Sequence, residues 1–528
     1  MLDGFVPWPD HLAEEYRRAG YRLGRPLGDL LHESCARHAG RVAVVCGERR
    51  MTYAELSRAA DRMAYGLLEL GVKPLDRVVV QLPNVPEFVV LLFALLRAGA
   101  IPVLALPGHR RAEIAGVHGH AGAVAYAIKD EFGGFDYRRL ARELPSPGHV
   151  LVSGDAQEFT ALDTLEGTAR ELPAADPGDP ALFLLSGGTT GLPKLIPRTH
   201  DDYGYCMRAT AEAMRAGSGL VYLAVNPAAH NAALGCPGVL GSLLLGGKAV
   251  LTSSVRPDEV FPLIEREGVT VTTIVPAVLR LWADAGPRGH DLSRLTLQVG
   301  SAPLDPALAR RAREGLGCGL TRWFGLSEGL LTHTRLDDPD EVIDGTEGRP
   351  LAAADEVLLV GPSGEPVPDG EAGELLVRGP YTIRGYFRAP EHNARSFAPG
   401  GYFRTGDLVR RRPDGNLVVV GRVKDVINRA GEKISPEEVE RCLLTHPAVR
   451  DAAVLGVPDG ALGERTYAFL VLAGDVRPPA VKAYLRERGL ATYKIPDRIV
   501  PMAELPRTPM GKIDKRALRD GVTARRAS

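Results

Sequence analysis

A segment rich in glycine and threonine, Ser186-Gly-Gly-Thr-Thr-Gly-Leu-Pro-Lys194, directly follows the apolar run 182–185. Its glycines let the backbone bend and expose successive N–H groups, while its hydroxyls and its lysine add hydrogen-bond donors and a positive charge. A flexible turn between two strands is the alternative, but three hydroxyls with a lysine favour a phosphate loop. The candidate phosphate ligands are Ser186, Gly187, Gly188, Thr189, Thr190, Gly191 and Lys194.

The loop does not fit a P-loop phosphotransferase. A Walker A loop requires a helix directly after its lysine. Here Pro193 precedes the lysine, and the segment 195–197, Leu-Ile-Pro, follows it. A kinase-like or GTPase-like interpretation is therefore disfavoured.

Two further segments carry side chains suited to a nucleotide. Glu328 ends the segment Trp-Phe-Gly-Leu-Ser-Glu and offers a hard oxygen ligand for Mg²⁺, and Phe324 offers a face on which a purine can stack. Asp407 ends Tyr-Phe-Arg-Thr-Gly-Asp, and its carboxylate is able to accept two hydrogen bonds from a ribose diol. Taken singly, the first segment is more typical of core packing beside a surface charge, and the second is typical of an ordinary turn.

Lys512 is the candidate catalytic residue. Where two anionic groups react with each other, a cation that touches both stabilises the transition state more than the separated reactants. The glycine before Lys512, in Thr-Pro-Met-Gly-Lys, permits a close approach. A surface lysine in a basic tail is the alternative.

Length and composition predict a soluble protein of several units. A chain of 528 residues is too long for one core and indicates a large domain with at least one smaller one. The formal net charge of −1 argues against nucleic acid as the main partner. The six cysteines show no C-x-x-C spacing, which predicts neither disulfides nor a zinc site and fits a reducing cytoplasm. The sequence shows neither a signal peptide nor a membrane span.

The elements that position these residues alternate between helices and strands. Helices are predicted over 53–70, 85–98 and 257–267, and strands over 77–82, 101–105, 220–225, 248–252, 269–275 and 295–300. This alternation predicts two doubly wound, mainly parallel sheets. Short strands with Gly, Pro and Asp turns over 356–420 predict an antiparallel layer or barrel, and the last hundred or so residues predict a small α+β module.

The ordered motifs resemble those of the adenylate-forming enzymes, a superfamily of acyl-CoA synthetases, luciferases and nonribosomal peptide adenylation domains. The resemblance covers essentially the whole chain and implies an AMP-binding domain over 1–423 and a mobile C-terminal lid over 424–528. It implies ATP and Mg²⁺ as cofactors and a homodimer. The nucleotide-binding residues that it adds are Gly300, Ser301, Ala302, Trp323, Gly325 and Arg422.

The same resemblance implies two half-reactions, adenylation and then thioester formation, separated by rotation of the lid. Lys424 aligns with the hinge residue; many relatives carry Asp there, and a lysine is shared with the aryl-acid branch. Gly431 would line the path of the pantetheine thiol. Hinge residues absorb large backbone changes at domain boundaries.

The segments 194–203, 335–338 and 379–386 are similar to those of stand-alone aryl-acid ligases, which activate 2,3-dihydroxybenzoate or salicylate. In this branch Asn231 stands where amino-acid-activating domains place an Asp. An amide offers hydrogen bonds to an aryl acid but no countercharge to an ammonium group, which disfavours an α-amino acid. The implied acid pocket comprises His230, Asn231, Ala232, Cys236, Gly300 and Leu331.

Four residues bear on the choice of acid. Cys236 and Leu331 favour salicylate, since relatives with Ser and Val at these positions accept a 3-hydroxyl group. Ala232 replaces a larger residue and Ser301 replaces a common Gly, which suggests a reshaped pocket for a methylsalicylate, a hydroxyanthranilate or a hydroxypicolinate.

The leading hypothesis is an aryl acid-AMP ligase that passes the acyl group to a carrier protein in trans, in siderophore or other nonribosomal peptide biosynthesis. An aryl-CoA ligase differs only in its thiol acceptor and remains the alternative. A degenerate, non-catalytic nucleotide-binding protein is the alternative of another class. Retention of Lys512, Glu328 and Asp407 argues against that last hypothesis.

Overall fold

A computed structural model describes residues 2–186, 193–302, 304–429, 432–459, 462–474, 476–488, 490, 492–508 and 511–527. Its helices are α1 Asp10–Arg18, α2 Leu27–Arg37, α3 Tyr53–Glu69, α4 Pro86–Arg97, α5 Arg111–Ala121, α6 Tyr137–Arg142, α7 His200–Ala213, α8 Asn231–Gly235, α9 Gly238–Leu244, α10 Pro257–Glu267, α11 Pro276–Ala285, α12 Pro306–Leu316, α13 Asp340–Gly345, α14 Pro390–Ser396, α15 Pro436–Leu444, α16 Pro478–Glu487 and α17 Lys515–Ala527.

Its strands are β1 Val42–Cys46, β2 Arg49–Thr52, β3 Arg77–Gln81, β4 Ile101–Leu104, β5 Ala125–Lys129, β6 Glu131–Phe132, β7 Phe135–Asp136, β8 His149–Ser153, β9 Thr160–Ala161, β10 Pro180–Leu185, β11 Leu195–Thr199, β12 Val221–Ala224, β13 Lys248–Leu251, β14 Val271–Ile274, β15 Thr296–Gly300, β16 Gly319–Leu326, β17 Gly329–His333, β18 Arg349–Pro350, β19 Glu356–Val360, β20 Ala372–Arg378, β21 Phe397–Ala398, β22 Tyr402–Arg411, β23 Leu417–Arg422, β24 Ile427–Arg429, β25 Glu432–Ile434, β26 Val449–Asp459, β27 Gly463–Leu472 and β28 Arg498–Met502.

Two mainly parallel sheets form the larger part of the molecule. The first has the order β11-β10-β4-β3-β5-β8-β9 and is parallel except for the pair of β10 with β11. The second has the order β18-β17-β16-β15-β14-β12-β13-β1-β2 and is parallel from β16 through β1. Both sheets agree with the predicted fold class.

The main apolar core lies between these two sheets. Its buried side chains include Val78 and Val80 from the first sheet, Tyr222 and Ala249 from the second, and residues of α2, α3, α4, α7 and α9. Helix α4 is buried along nearly its whole length, as expected for a helix that packs between two layers. The site residues that follow β10 and β15 therefore stand on rigid elements.

Two further five-stranded sheets are built mainly from antiparallel pairs, and β6 with β7 forms a small two-stranded sheet. Strands β19 to β23 make a five-stranded antiparallel sheet, which matches the β-rich layer predicted over 356–420. In the C-terminal part, β24 to β28 form a separate sheet with its own apolar core against α15 and α16. This arrangement is the predicted α+β module.

The structure departs from the predicted elements mainly at their ends and at the sheet edges. The strand predicted over 269–275 is shorter, Val271–Ile274, because Pro276 opens α11 directly after it. The antiparallel strands β2 and β11, at sheet edges, and β17, next to the edge strand β18, were not predicted, since apolar periodicity carries no information on strand direction. All six cysteines are free, and no helix among the described residues has the length and apolar character to span a membrane.

Candidate active site

Ser186 and Lys194 lie at the two ends of the phosphate loop, next to the paired ends of β10 and β11. The backbone N–H of Ser186 donates to the carbonyl oxygen of Lys194 at 3.0 Å, and the N–H of Lys194 donates to the Ser186 hydroxyl at 2.9 Å. These bonds close the base of the loop. The predicted ligands Gly187, Gly188, Thr189, Thr190 and Gly191 lie outside the described residues.

Tyr386 connects the lysine of the loop to the predicted metal ligand. The Lys194 ammonium nitrogen lies 5.6 Å from the centre of the Tyr386 ring, a distance at which a cation interacts with the ring face. The Tyr386 hydroxyl donates to Glu328 Oε1 at 2.7 Å. Burial and the Glu328 charge raise the pKa of Tyr386, so its hydroxyl keeps its proton and holds the carboxylate in place.

Asp407 presents an unsatisfied acceptor. Arg422 faces it across β22 and β23, and its Nε lies 2.9 Å from Asp407 Oδ1. Among the described residues, Oδ2 of this buried carboxylate has no hydrogen-bond partner. Burial raises the pKa of Asp407, while the Arg422 and Lys512 cations act in the opposite direction. A buried acceptor without a partner is costly and is suited to a hydroxyl donor from a ligand.

The Lys512 ammonium group lies in the same cleft. Loss of water around the ammonium and the nearby Arg422 lower the pKa of Lys512, whereas the Asp407 and Glu328 carboxylates raise it. The residue as a whole is exposed to solvent. Burial, together with the Lys512 charge, also lowers the pKa of His230 to about 3. Lys512 therefore interacts electrostatically with residues from three separate parts of the chain.

The end of β15 is packed tightly against β16. Gly300 pairs with Trp323, and a Cβ on Gly300 would overlap the Trp323 carbonyl oxygen and lie 2.6 Å from indole Cε2. Ser301, next in the chain, has a φ of 67°, a left-handed conformation that favours glycine. Ala302 follows, and Phe324 is half-buried on the strand face opposite to the buried Trp323.

His230 and Asn231 open α8. The His230 side chain accepts a hydrogen bond from the Ala232 N–H at 3.3 Å, and its low pKa keeps the imidazole neutral. The Tyr203 hydroxyl donates to Asn231 Oδ1 at 3.0 Å, which leaves the Asn231 amide N–H groups for another partner. Ala232 is 2% exposed and places only a methyl group at this position.

Cys236 and Leu331 belong to one buried apolar cluster with Tyr381. The Leu331 N–H donates to the Tyr381 hydroxyl at 3.0 Å. Gly325, opposite Leu331 in the β16–β17 pair, leaves room for the leucine, since a Cβ there would overlap Leu331 Cδ2. A hydrogen bond with the Cys206 thiol and burial raise the pKa of Cys236, so this thiol stays protonated.

Lys424 lies in a short 3-10 turn, Val423–Asp425, between β23 and β24. Burial lowers its pKa, and the Arg422 and Lys194 cations act in the same direction. The predicted hinge residue thus lies close to the phosphate loop and to the ribose-binding candidates. Gly431, the predicted thiol-path residue, lies outside the described residues.

Sequence reasoning missed three tyrosines that hold site residues. Tyr386 holds Glu328, Tyr203 holds Asn231 and Tyr381 holds the Leu331 backbone. All three lie in segments that carry the family resemblance, but an aromatic residue there indicates core packing as readily as a hydrogen bond. The available signal was the tyrosine hydroxyl, a polar group that needs a hydrogen-bond partner when it is buried.

Comparison with known proteins gives a consistent result over the whole chain. The profile of the family described as "AMP-binding enzyme" matches residues 31–387, and that described as "AMP-binding enzyme C-terminal domain" matches residues 438–512. The chain is 74% identical to "Triostin synthetase I" of Streptomyces triostinicus, with 98% of each chain covered.

Other similar proteins have more explicit names. The chain is 50% identical to the "2,3-dihydroxybenzoate-AMP ligase" of Bacillus subtilis, with 99% of this chain and 98% of the relative covered. It is 51% identical to the "Salicyl-AMP ligase / salicyl-S-ArCP synthetase" of Mycobacterium tuberculosis, with 98% and 94% covered. Among solved structures, the apo structure of MbtA from Mycobacterium smegmatis has a TM-score of 0.77 and 47% identity, with 98% of each chain covered.

The contact between Gly300 and Trp323 predicts an effect of Gly300→Ala on stability. The added methyl group has to displace the Trp323 indole or carbonyl, and we expect destabilisation of about 1–3 kcal/mol, seen as a lower thermal unfolding midpoint. Gly315→Ala is the matched control, because Gly315 lies in α12 with open space around its Cβ, and it should stabilise by about 0.5–1 kcal/mol. Equal midpoints for the two variants would contradict the packing described.

Proposed function

The chain belongs to the family of AMP-binding enzymes, and on this premise we propose that it activates an aryl carboxylic acid with ATP. The acid's carboxylate oxygen forms a bond to the α-phosphorus, and the bond from that phosphorus to pyrophosphate breaks. A carrier-protein phosphopantetheine thiolate then attacks the acyl carbon, and AMP leaves. The observation that carries the proposal is the buried Asp407 carboxylate, paired with Arg422 through Oδ1 and left without a partner at Oδ2 among the described residues. The Glu328 carboxylate held by Tyr386 and the Lys512 cation interact with it electrostatically.

Lys512 is proposed as the catalytic cation. Its ammonium group interacts electrostatically with the Asp407 and Glu328 carboxylates and with His230. A charge that has lost part of its water acts more strongly than one in bulk solvent. Lys512 would therefore stabilise the negative charge shared by the acid oxygen and the α-phosphate.

The nucleotide sugar is assigned to Asp407. Its Oδ2, unpaired among the described residues, and its Oδ1 beside Arg422 suit the two hydroxyl groups of a ribose, and the Arg422 charge favours the ionised form of the carboxylate. Phe324 supplies a ring face for the base. The loop from Ser186 to Lys194 would hold the leaving pyrophosphate.

Glu328 is proposed as the protein ligand of Mg²⁺. The ion commonly takes one or two carboxylates together with substrate phosphates and water, and a half-buried carboxylate fixed by Tyr386 fits this pattern. When bound, Mg²⁺ would neutralise charge on the phosphates. Lys194, on the other side of Tyr386, is placed to add a second positive charge.

The acid is proposed to be salicylate or a substituted or nitrogen-containing analogue. Among the described residues, the amide N–H groups of Asn231 make no hydrogen bond, and Tyr203 orients the amide through its oxygen, which suits a carboxylate or an ortho hydroxyl oxygen as acceptor. Cys236 and Leu331 make the far edge of the pocket apolar, which disfavours a 3-hydroxyl group. The names of two relatives, a salicyl-AMP ligase and a dihydroxybenzoate-AMP ligase, support an aryl acid.

The second half-reaction is proposed to use rotation of the segment 424–528 about Lys424. The position of Lys424 in a short turn between two sheets suits a hinge. An aryl-CoA ligase that uses free CoA shares this chemistry and differs only in the acceptor. Comparing transfer to CoA with transfer to a phosphopantetheinylated carrier protein separates the two.

Acid-dependent exchange of labelled pyrophosphate into ATP tests the first half-reaction. We expect exchange with an aryl acid and a fall of about 10²–10³-fold in Lys512→Ala, the usual effect of removing one transition-state charge contact. Lys73→Ala, at an exposed lysine in a loop, should leave the rate unchanged. A protein without exchange for salicylate, 2,3-dihydroxybenzoate, hydroxyanthranilate or hydroxypicolinate would refute the proposed activity.

Asn231→Asp tests the acid pocket. A carboxylate next to the substrate carboxylate repels it and removes two N–H donors, so we expect the KM for the aryl acid to rise at least tenfold while the KM for ATP stays within twofold. The measurement is exchange at varied acid and at varied ATP. If the preferred acid and its KM both stay unchanged in this variant, Asn231 does not line the pocket.

The pH profile of kcat/KM should be bounded by Asp407 and Lys512. The raised pKa of Asp407 means that its ionised form appears only as pH rises through that value, so activity increases there. The lowered pKa of Lys512 means that its cation is lost at a lower pH than an ordinary lysine, so activity falls on the alkaline side. In Lys512→Arg the fall in activity on the alkaline side should occur at a higher pH, since guanidinium stays protonated. If this fall occurs at the same pH as in the unmodified protein, another group causes it.

A further inference from the structure

Arg198 is completely buried in β11 and is not part of the machinery described so far. Its Nε lies 2.8 Å from Asp202 Oδ1, and the side chains of both residues are 1% exposed. Asp202 is fixed in turn by the Thr199 backbone N–H and hydroxyl, in a capping box at the start of α7. The pair is thus anchored to one strand and one helix, with its charge balanced internally.

One nitrogen of the guanidinium, Nη1, contacts the backbone next to the proposed metal ligand. Arg198 Nη1 donates to the Ser327 carbonyl oxygen at 3.0 Å, one residue before Glu328. The Glu328 carbonyl accepts from the Ile383 N–H at 2.7 Å. The backbone that presents the Glu328 carboxylate is therefore tied on one side to Arg198 and on the other to the segment that follows Tyr381.

The second terminal nitrogen of the guanidinium, Nη2, contacts the backbone at Tyr381. Arg198 Nη2 donates to the Tyr381 carbonyl oxygen at 3.3 Å. The Tyr381 hydroxyl accepts from the Leu331 N–H at 3.0 Å and donates to Asp355 Oδ2 at 2.7 Å. Arg198 thereby fixes the residue that holds the far wall of the acid pocket.

The face of the guanidinium makes the third contact. Arg198 Cζ lies 4.9 Å from the centre of the Tyr203 ring, whose hydroxyl donates to Asn231 Oδ1. Stacking on a cation restrains the ring and so the direction of this hydrogen bond. Only arginine combines a flat face with several divergent donors, so lysine cannot replace all three contacts.

We propose that Arg198 is a positioning residue that couples the metal-binding and acid-binding halves of the site. It is linked through Ser327 to Glu328, through Tyr381 to Leu331 and through Tyr203 to Asn231. This inference rests on the proposed function, because Glu328 and Asn231 take their roles from it. Arg198 touches neither substrate and acts through these partners. Arg198 therefore affects both the choice of acid and the Mg²⁺ concentration that the reaction requires.

The test is Arg198→Lys in the full chain, with pyrophosphate exchange measured at varied aryl acid and at varied Mg²⁺. We expect the KM for the acid and the half-saturating Mg²⁺ concentration both to rise about tenfold or more, as is usual when a supporting contact of a metal ligand is lost. Tyr203→Phe, which removes only the bond to Asn231, should raise the acid KM about three- to tenfold and leave the Mg²⁺ dependence unchanged.

Arg138→Lys is the matched control, since Arg138 is also buried and paired with carboxylates but lies in α6, within the first sheet's outer layer. It should change neither constant. A folded Arg198→Lys protein with both constants unchanged, or with only a lower kcat, overturns the inference. Absence of exchange in the unmodified protein would instead refute the proposed function.

If Arg198→Lys does not fold, Tyr203→Phe and Tyr381→Phe decide the question. Tyr381→Phe should change the ratio of kcat/KM for salicylate and 2,3-dihydroxybenzoate, because the Leu331 backbone loses its partner. Near-UV circular dichroism checks that each variant is folded. Unchanged acid constants in both folded variants overturn the inference.

Discussion

The positive charge that Lys512 brings into the cleft determines how the other site residues have to be arranged. An ammonium group that has lost part of its water needs negative partners, and Asp407 and Glu328 provide them from β22 and from the turn after β16. Those carboxylates would in turn repel each other and a nucleotide if they stood alone. The cleft is therefore a balanced set of charges from distant parts of the chain, and the rigid sheets serve to keep that balance in place.

The main elements of the fold could be predicted from the sequence because they depend on local patterns. The helix Pro257–Glu267 starts at a proline and ends before a glycine with a left-handed backbone, and its predicted bounds are those observed. The edge strand β11 was not predicted, although its antiparallel pairing with β10 is what closes the phosphate loop. The direction in which a strand returns depends on the long-range packing of the sheet, which a local pattern does not contain.

Local sequence patterns are also insufficient to predict every contact within the site. Lys512, Asp407 and Glu328 were predicted because their motifs follow the family order, and in the structure they interact electrostatically with one another. Tyr386, which links Lys194 to Glu328, was not identified, because its partner lies 58 positions away in the chain. A buried tyrosine fits an apolar core equally well, so only the position of its hydroxyl reveals the role.

The cations near Lys194 have a consequence for the proposed movement of the segment 424–528. Burial lowers the pKa of Lys424, and Arg422 and Lys194 lower it further, while Asp425 and Asp407 act in the opposite direction. Arg422 likewise lowers the pKa of Lys512. If this segment moves as proposed, a polyanion between these cations would offset their mutual repulsion. The preferred position of the segment would then depend on how much phosphate charge the cleft holds.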